Sequence, residues 1–131
     1  MTWVEAFTVF LVCHCTGDFL LQTEFQAINK AGGLGADPVA RRALFSHVFT
    51  YTLIFVPAFV WLGSDHSIGR TLAAVAVIAL THLAQDDQRL LRTYARRVKK
   101  TQAEAGSPLW IGIDQSAHVV WLFAAALVVA A

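Results

Sequence analysis

The chain has 131 residues, 56% of them hydrophobic and 15% charged, with a formal net charge of +1 and a mean hydropathy of +0.55. An ordinary soluble domain is about 45–50% apolar and about 25% charged, so a chain this short cannot enclose its apolar surface and is expected to face lipid. The balanced charge excludes the concentrated basic field that duplex nucleic acid requires, and no nucleic-acid partner is expected.

A membrane-crossing helix takes about 20 mainly apolar residues, and the sequence predicts four, over 3–22, 43–63, 70–88 and 109–130. The first lacks the basic start of a signal peptide and is interrupted by His14 and Asp18, so it reads as a retained helix. Cys13 and Cys15 lie one residue apart within it, fit neither a disulfide framework nor a Cys-x-x-Cys zinc motif, and read as packing residues. The link from Thr23 to Arg42 carries Gly32, Gly33, Gly35 and Pro38 and reads as a flexible turn region. Gly63-Ser64-Asp65 ends the second helix, and Ser67 is the expected N-cap of the third. Beyond Asp87, Leu90, Leu91, Tyr94 and Val98 recur at three- and four-residue spacing among arginines. The third helix is therefore expected to run on as a basic amphipathic segment along the membrane surface. Gly106-Ser107-Pro108 stops it, with Pro108 suited to the first turn of the fourth helix.

Lys and Arg accumulate on the cytoplasmic side of short loops. Nine of the ten basic residues fall in the first link or after the third span, and Arg70 alone lies opposite, which predicts both termini outside and the basic loops in the cytoplasm. The expected architecture is one all-α domain over 1–131, an integral four-helix membrane bundle whose third helix is extended by the basic segment.

An ionisable side chain inside a spanning helix costs roughly 2.5–3.5 kcal/mol on the insertion scale, so each is by default a functional-site hypothesis. This chain carries His14 and Asp18 in the first helix, His47 in the second, His82 and Asp86 in the third, and Asp114 and His118 in the fourth. Three of the helices pair His with Asp at i and i+4, on one face, and the alternating helix direction brings all seven groups to one depth in the cytoplasmic half. Imidazole plus carboxylate on facing helices is the ligand set of Zn, Mn or Fe, and seven groups suffice for one ion with supporting hydrogen bonds or for two ions sharing a carboxylate. Interhelical hydrogen bonding, worth about 0.6 kcal/mol on average, explains one such pair better than three. A proton or ion pathway is the other alternative. Asp87 and Gln115 face about 100° away from their neighbours and read as supporting or helix-contact residues. Gly17 reads as a close-packing position, His66 as a solvated residue of the outer link, and Trp3, Trp61 and Trp110 as interfacial anchors, with Trp121 deeper.

The string His14-Cys15-Thr16-Gly17-Asp18-Phe19-Leu20-Leu21-Gln22, followed by Asn29-Lys30, His47, Thr81-His82 and Asp114-Gln115-Ser116-Ala117-His118, resembles a family of small bacterial membrane proteins known as domain of unknown function 3307. The resemblance covers nearly the whole chain and implies a multi-pass protein of the bacterial inner membrane. The outline also resembles that of membrane-bound metal-dependent hydrolases, at the level of fold analogy.

Together these readings lead to a metal-dependent hydrolase opening toward the cytoplasmic leaflet. The expected ligands are His14, Asp18, His82, Asp86, Asp114 and His118 for one or two ions of Zn, Mn or Fe. His47 is a ligand or acid/base, and Lys30, from the mobile first link, holds a leaving phosphate. The basic run Arg89 to Lys100 is expected to hold an anionic lipid headgroup, at about 1 kcal/mol per charge, making a phosphoester or lipid ester the first substrate class. A divalent-metal or proton transporter subunit and a non-catalytic membrane module are the competing classes.

Overall fold

Local capping chemistry sets most of the helix starts in the computed structural model, which describes residues 2–131. Thr2 and Glu5 form a reciprocal capping box at the head of α1 (Trp3–Cys15), and Thr23 with Gln26 does the same for α2 (Glu24–Asn29). Asp37 caps α3 (Pro38–Ile54), whose first turn also holds Pro38. A break at Phe55 separates it from α4 (Val56–Asp65). Ser67 caps α5 (Ile68–Asp86), as the sequence predicts. A short helix α6 (Arg89–Arg97) follows, and α7 (Pro108–Ala130) starts at a Ser107 cap with Pro108 in its first turn. Among the described residues there is no strand, and the chain is all-α.

Three helical stretches are long and apolar enough to cross a membrane: Trp3–Leu20, Ile68–Asp86 and Pro108–Ala130. The α3–α4 pair makes a fourth if counted as one span bent by 45°. Pro57 explains the bend, because its nitrogen cannot bond the Leu53 carbonyl and its ring crowds that turn. Only 28% of each straight span is buried inside the molecule, and Val12, Leu72, Leu80 and Val120 are exposed on their outer faces. The core they enclose contains Phe10, Tyr51, Phe55, Leu62, Ile78 and Leu122, with Ala74, Ala125 and Ala126 fully buried. Small residues allow the close backbone approach on which helix association in lipid depends, and α7 packs most extensively on α5 and α1.

Three expectations need correction. The first link is not a flexible turn region: it contains α2, and its glycine turn is bonded to the end of α5. Gly32 N donates to Asp87 O at 2.9 Å, Leu34 N donates to the Asp87 carboxylate at 2.8 Å, and Arg89 bonds Gly32 O at 3.1 Å. Gly33 lets the same turn pack closely on α3, since a Cβ there would lie 2.5 Å from Leu44. For the same reason α5 does not run on through the basic segment. Asp87 is committed to the link, Gln88 adopts a left-handed backbone (φ 64°), and α6 is a separate helix. Trp110, finally, is no exposed anchor: it is 5% exposed, packed with Leu91 and Ala95 between α6 and α7.

Candidate metal centre

α1 loses its regular hydrogen-bond pattern after Cys15, and Thr16–Leu20 form a π-helical turn in which Leu21 N bonds Thr16 O at 3.0 Å. Such wide turns cluster at functional sites, and this one carries Asp18. Gly17 inside it is obligatory, because a Cβ would come within 2.6 Å of the Tyr51 ring. The turn therefore lies directly against α3. His14 and Asp18 still face the same interior, with Nδ1 and Oδ2 3.5 Å apart.

Helices α1, α3, α5 and α7 and the π-helical turn bring all seven predicted groups into one connected cluster. Its centre is a quartet: Nε2 of His47, Nε2 of His82, Oδ1 of Asp18 and Oδ2 of Asp86. His47 Nε2 lies 3.0 Å from His82 Nε2, 3.2 Å from Asp18 Oδ1 and 3.0 Å from Asp86 Oδ2. His82 Nε2 lies 3.5 Å from Asp18 Oδ1 and 3.1 Å from Asp86 Oδ2. Ligands about 2.0–2.1 Å from a tetrahedral ion stand roughly 3.3–3.4 Å apart, and these five separations fall on either side of that value. The side chains are nearly closed off, at 1% and 2% exposure for His47 and His82, 6% for Asp18 and 1% for Asp86.

His118 and Asp114 extend the cluster along α7. The Asp114 carbonyl lies 2.8 Å from His118 Nδ1, which fixes the proton there and leaves Nε2 with a lone pair. That nitrogen is buried, has no hydrogen-bond partner, and lies 3.5 Å from Asp86 Oδ1. Asp86 thus presents one oxygen to His47, His82 and Lys30 and the other to His118, and could ligate an ion through either. Asp114 is more peripheral, 19% exposed, with Oδ1 3.9 Å from His118. His14 is engaged at both ring nitrogens, by the Tyr51 hydroxyl and by Gln115 Oε1, each at 3.0 Å, while Gln115 Nε2 donates to Asp114. Three His/Asp groups are compact enough to hold an ion: His14, Asp18 and His82; His47, His82 and Asp86; and Asp86, Asp114 and His118. One feature departs from usual metal sites: Nδ1 of His47 and of His82 is buried with no acceptor.

With carboxylates ionised and imidazoles neutral, Asp18, Asp86 and Asp114 contribute three negative charges and Lys30 one positive, leaving two negative charges in a buried layer. One divalent cation balances it.

Lys30 is not on a mobile arm. Its ammonium is buried and donates to Asp86 Oδ2 at 2.8 Å. Two further participants are Tyr51, which stacks on His82 at 3.5 Å between ring centroids, and Gln115. Tyr51 stands at i+4 from His47, a spacing that puts it on the same helical face and could have marked it. Cys13 packs in the core and Cys15 is exposed.

Residues 6–131 match the family described as protein of unknown function, DUF3307. The chain belongs to this family. The match takes in every element of this DUF3307 chain's His/Asp cluster, from His14 to His118. No curated protein and no solved structure matches it, so the likeness to membrane-bound metal-dependent hydrolases rests on the outline of the motifs alone.

Proposed function

We propose that this DUF3307 chain is a single-domain, four-span membrane metalloprotein, a four-helix bundle with both termini outside, that uses a divalent transition ion to hydrolyse an anionic phosphoester or lipid ester. The observation that carries the reading is the quartet of His47, His82, Asp18 and Asp86, five of whose mutual separations lie between 3.0 and 3.5 Å. Zn, Mn or Fe suits two imidazoles and two carboxylates. When bound, an ion of this class lowers the pKa of water to about 7 and polarises a phosphoryl or carbonyl oxygen. His47 enters as a ligand rather than as acid or base, because its Nε2 belongs to the quartet. Tyr51 and Gln115 orient His14, and His118 Nε2 offers an unengaged lone pair beside Asp86. Asp114, the most exposed of the carboxylates, is placed to exchange protons with the exterior. Lys30 can hold an anionic leaving group only after releasing Asp86.

That ion pair favours a second reading. An ion entering at Asp86 displaces a resident cation, as the exchanging site of a metal or proton transporter requires. Elemental analysis of the detergent-purified protein, followed by assay in mixed micelles containing anionic phospholipid, separates the two. The hydrolytic reading expects about one or two equivalents of ion, lost in Asp86→Asn and His82→Ala, with hydrolysis rising from about pH 6 to 8. Ion without hydrolysis, together with His82-dependent zinc flux into liposomes, moves the assignment to transport. Full ion content in both variants overturns the ligand set.

A further inference from the structure

α6 and α7 do not close against each other along their whole length. Between them runs a groove of about 630 Å³ whose walls include Lys99, Leu109, Ile113, Val120 and Trp121. Its floor is made of the small residues Gly112, Ser116 and Ala117. From Pro108 to Trp121 it follows α7 for about 20 Å. A recess of about 240 Å³ shares its walls at Leu91, Tyr94 and Trp121 and reaches α5 at Gln85.

Gln85 gives the recess its chemistry. It is only 8% exposed, yet neither its amide nitrogen nor its amide oxygen has a hydrogen-bond partner. A buried primary amide wants both an acceptor and a donor, and nothing in the described protein supplies either. The walls of groove and recess contain no carboxylate, and their one charged residue is Lys99. A separate cavity of about 290 Å³ is lined by Arg92, Arg96 and Glu104, with the Arg92 guanidinium 5.9 Å above the Trp110 ring. An apolar groove with one lysine on its wall and an unpartnered buried amide in the recess beside it match an acyl chain, a phosphate and an ester group.

We propose that this α5–α6–α7 face seats one anionic phospholipid, with an acyl chain along the groove, its ester carbonyl accepting from the Gln85 amide, and its phosphate at Lys99. Gln85 adjoins Asp86 in the chain and Ala117 adjoins His118, so the inner wall of the groove backs onto the His/Asp layer. That this lipid is also the substrate rests on the hydrolytic reading; that it binds does not.

The test is lipid retention by the full-length, chelator-treated protein in detergent, read by native mass spectrometry after incubation with vesicles of mixed phosphatidylglycerol and phosphatidylcholine. One phosphatidylglycerol per chain is expected, preferred by about tenfold. Gly112→Phe is the key variant, because Gly112 lines the groove and a Cβ there meets no atom within 4 Å. It is expected to lose the lipid while keeping the melting temperature and metal content of the parent. Gln85→Leu is expected to weaken retention of the ester lipid about tenfold but not that of its ether-linked analogue. Equal retention of the two headgroups, lipid retention unchanged in Gly112→Phe, or displacement of the lipid by inorganic phosphate overturns the proposal. Metal content, measured on the untreated protein, reports separately on the hydrolytic reading.

Discussion

Lys30 and Asp86 form the tightest charge pair in the centre, 2.8 Å apart with side chains 11% and 1% exposed. Removing one partner of such a pair leaves a buried charge uncompensated and typically costs about 3–5 kcal/mol. The cost is conditional here, because a bound divalent ion would neutralise Asp86 in the ammonium's place. Lys30→Met is therefore expected to lower the melting temperature strongly in chelated protein and only slightly in metal-loaded protein. Its metal affinity should rise, since the ion no longer competes with a resident cation. Thermal unfolding and metal titration in detergent check both; an equal loss with and without metal would make the pair a purely structural one. The sequence assigned Lys30 to the site as a phosphate holder on a mobile link, not as a buried partner of Asp86, because the helix that carries it inward, α2, is short and lies beside a glycine-rich turn.

Among the elements, the break between α5 and α6 shows tertiary bonding overriding periodicity. Leu90, Leu91, Tyr94 and Val98 keep a helical pattern, yet the helix stops at Asp86 because the Asp87 carbonyl and carboxylate accept from Gly32 N and Leu34 N. Gln88 absorbs the change of direction with φ 64°, a conformation that costs a residue bearing a Cβ roughly 1–2 kcal/mol. Glycine escapes most of that cost but loses more entropy on folding, so Gln88→Gly is expected to stabilise the protein by about 1 kcal/mol or less. A modest rise in melting temperature with unchanged metal content is the measurable outcome. The periodicity itself was real and served another contact: Leu91 and Ala95 bury against Trp110, while Leu90, Tyr94 and Val98 remain outward.

The whole molecule gathers its basic residues at one end. The first link is hydrogen-bonded to the start of α6, so two of the segments that hold Lys and Arg are physically joined, and Arg70 lies at the opposite end of α5. In the four-span reading this end is cytoplasmic. In a background lacking Cys13 and Cys15, a membrane-impermeant thiol reagent applied to intact cells should therefore label His66→Cys but not Lys99→Cys. Labelling at position 99 would reverse the orientation and with it the leaflet to which the centre opens.

The sequence by itself determined the all-α class, long apolar helices, and the membership of the polar layer, because period and hydropathy are local properties and an ionisable group is conspicuous in an apolar helix. The His82–Asp86 and Asp114–His118 pairs were legible in this way, as was the supporting place of Gln115. What only the tertiary structure decided was which atoms meet. The π-helical turn that carries Asp18 to His47, the Lys30 ammonium on Asp86, Tyr51 stacked on His82 and the Asp87 anchor all join residues far apart in the chain. Such contacts depend on how helices pack side by side and on which backbone groups are left to be satisfied at their ends, and neither is encoded in the pattern of any single segment.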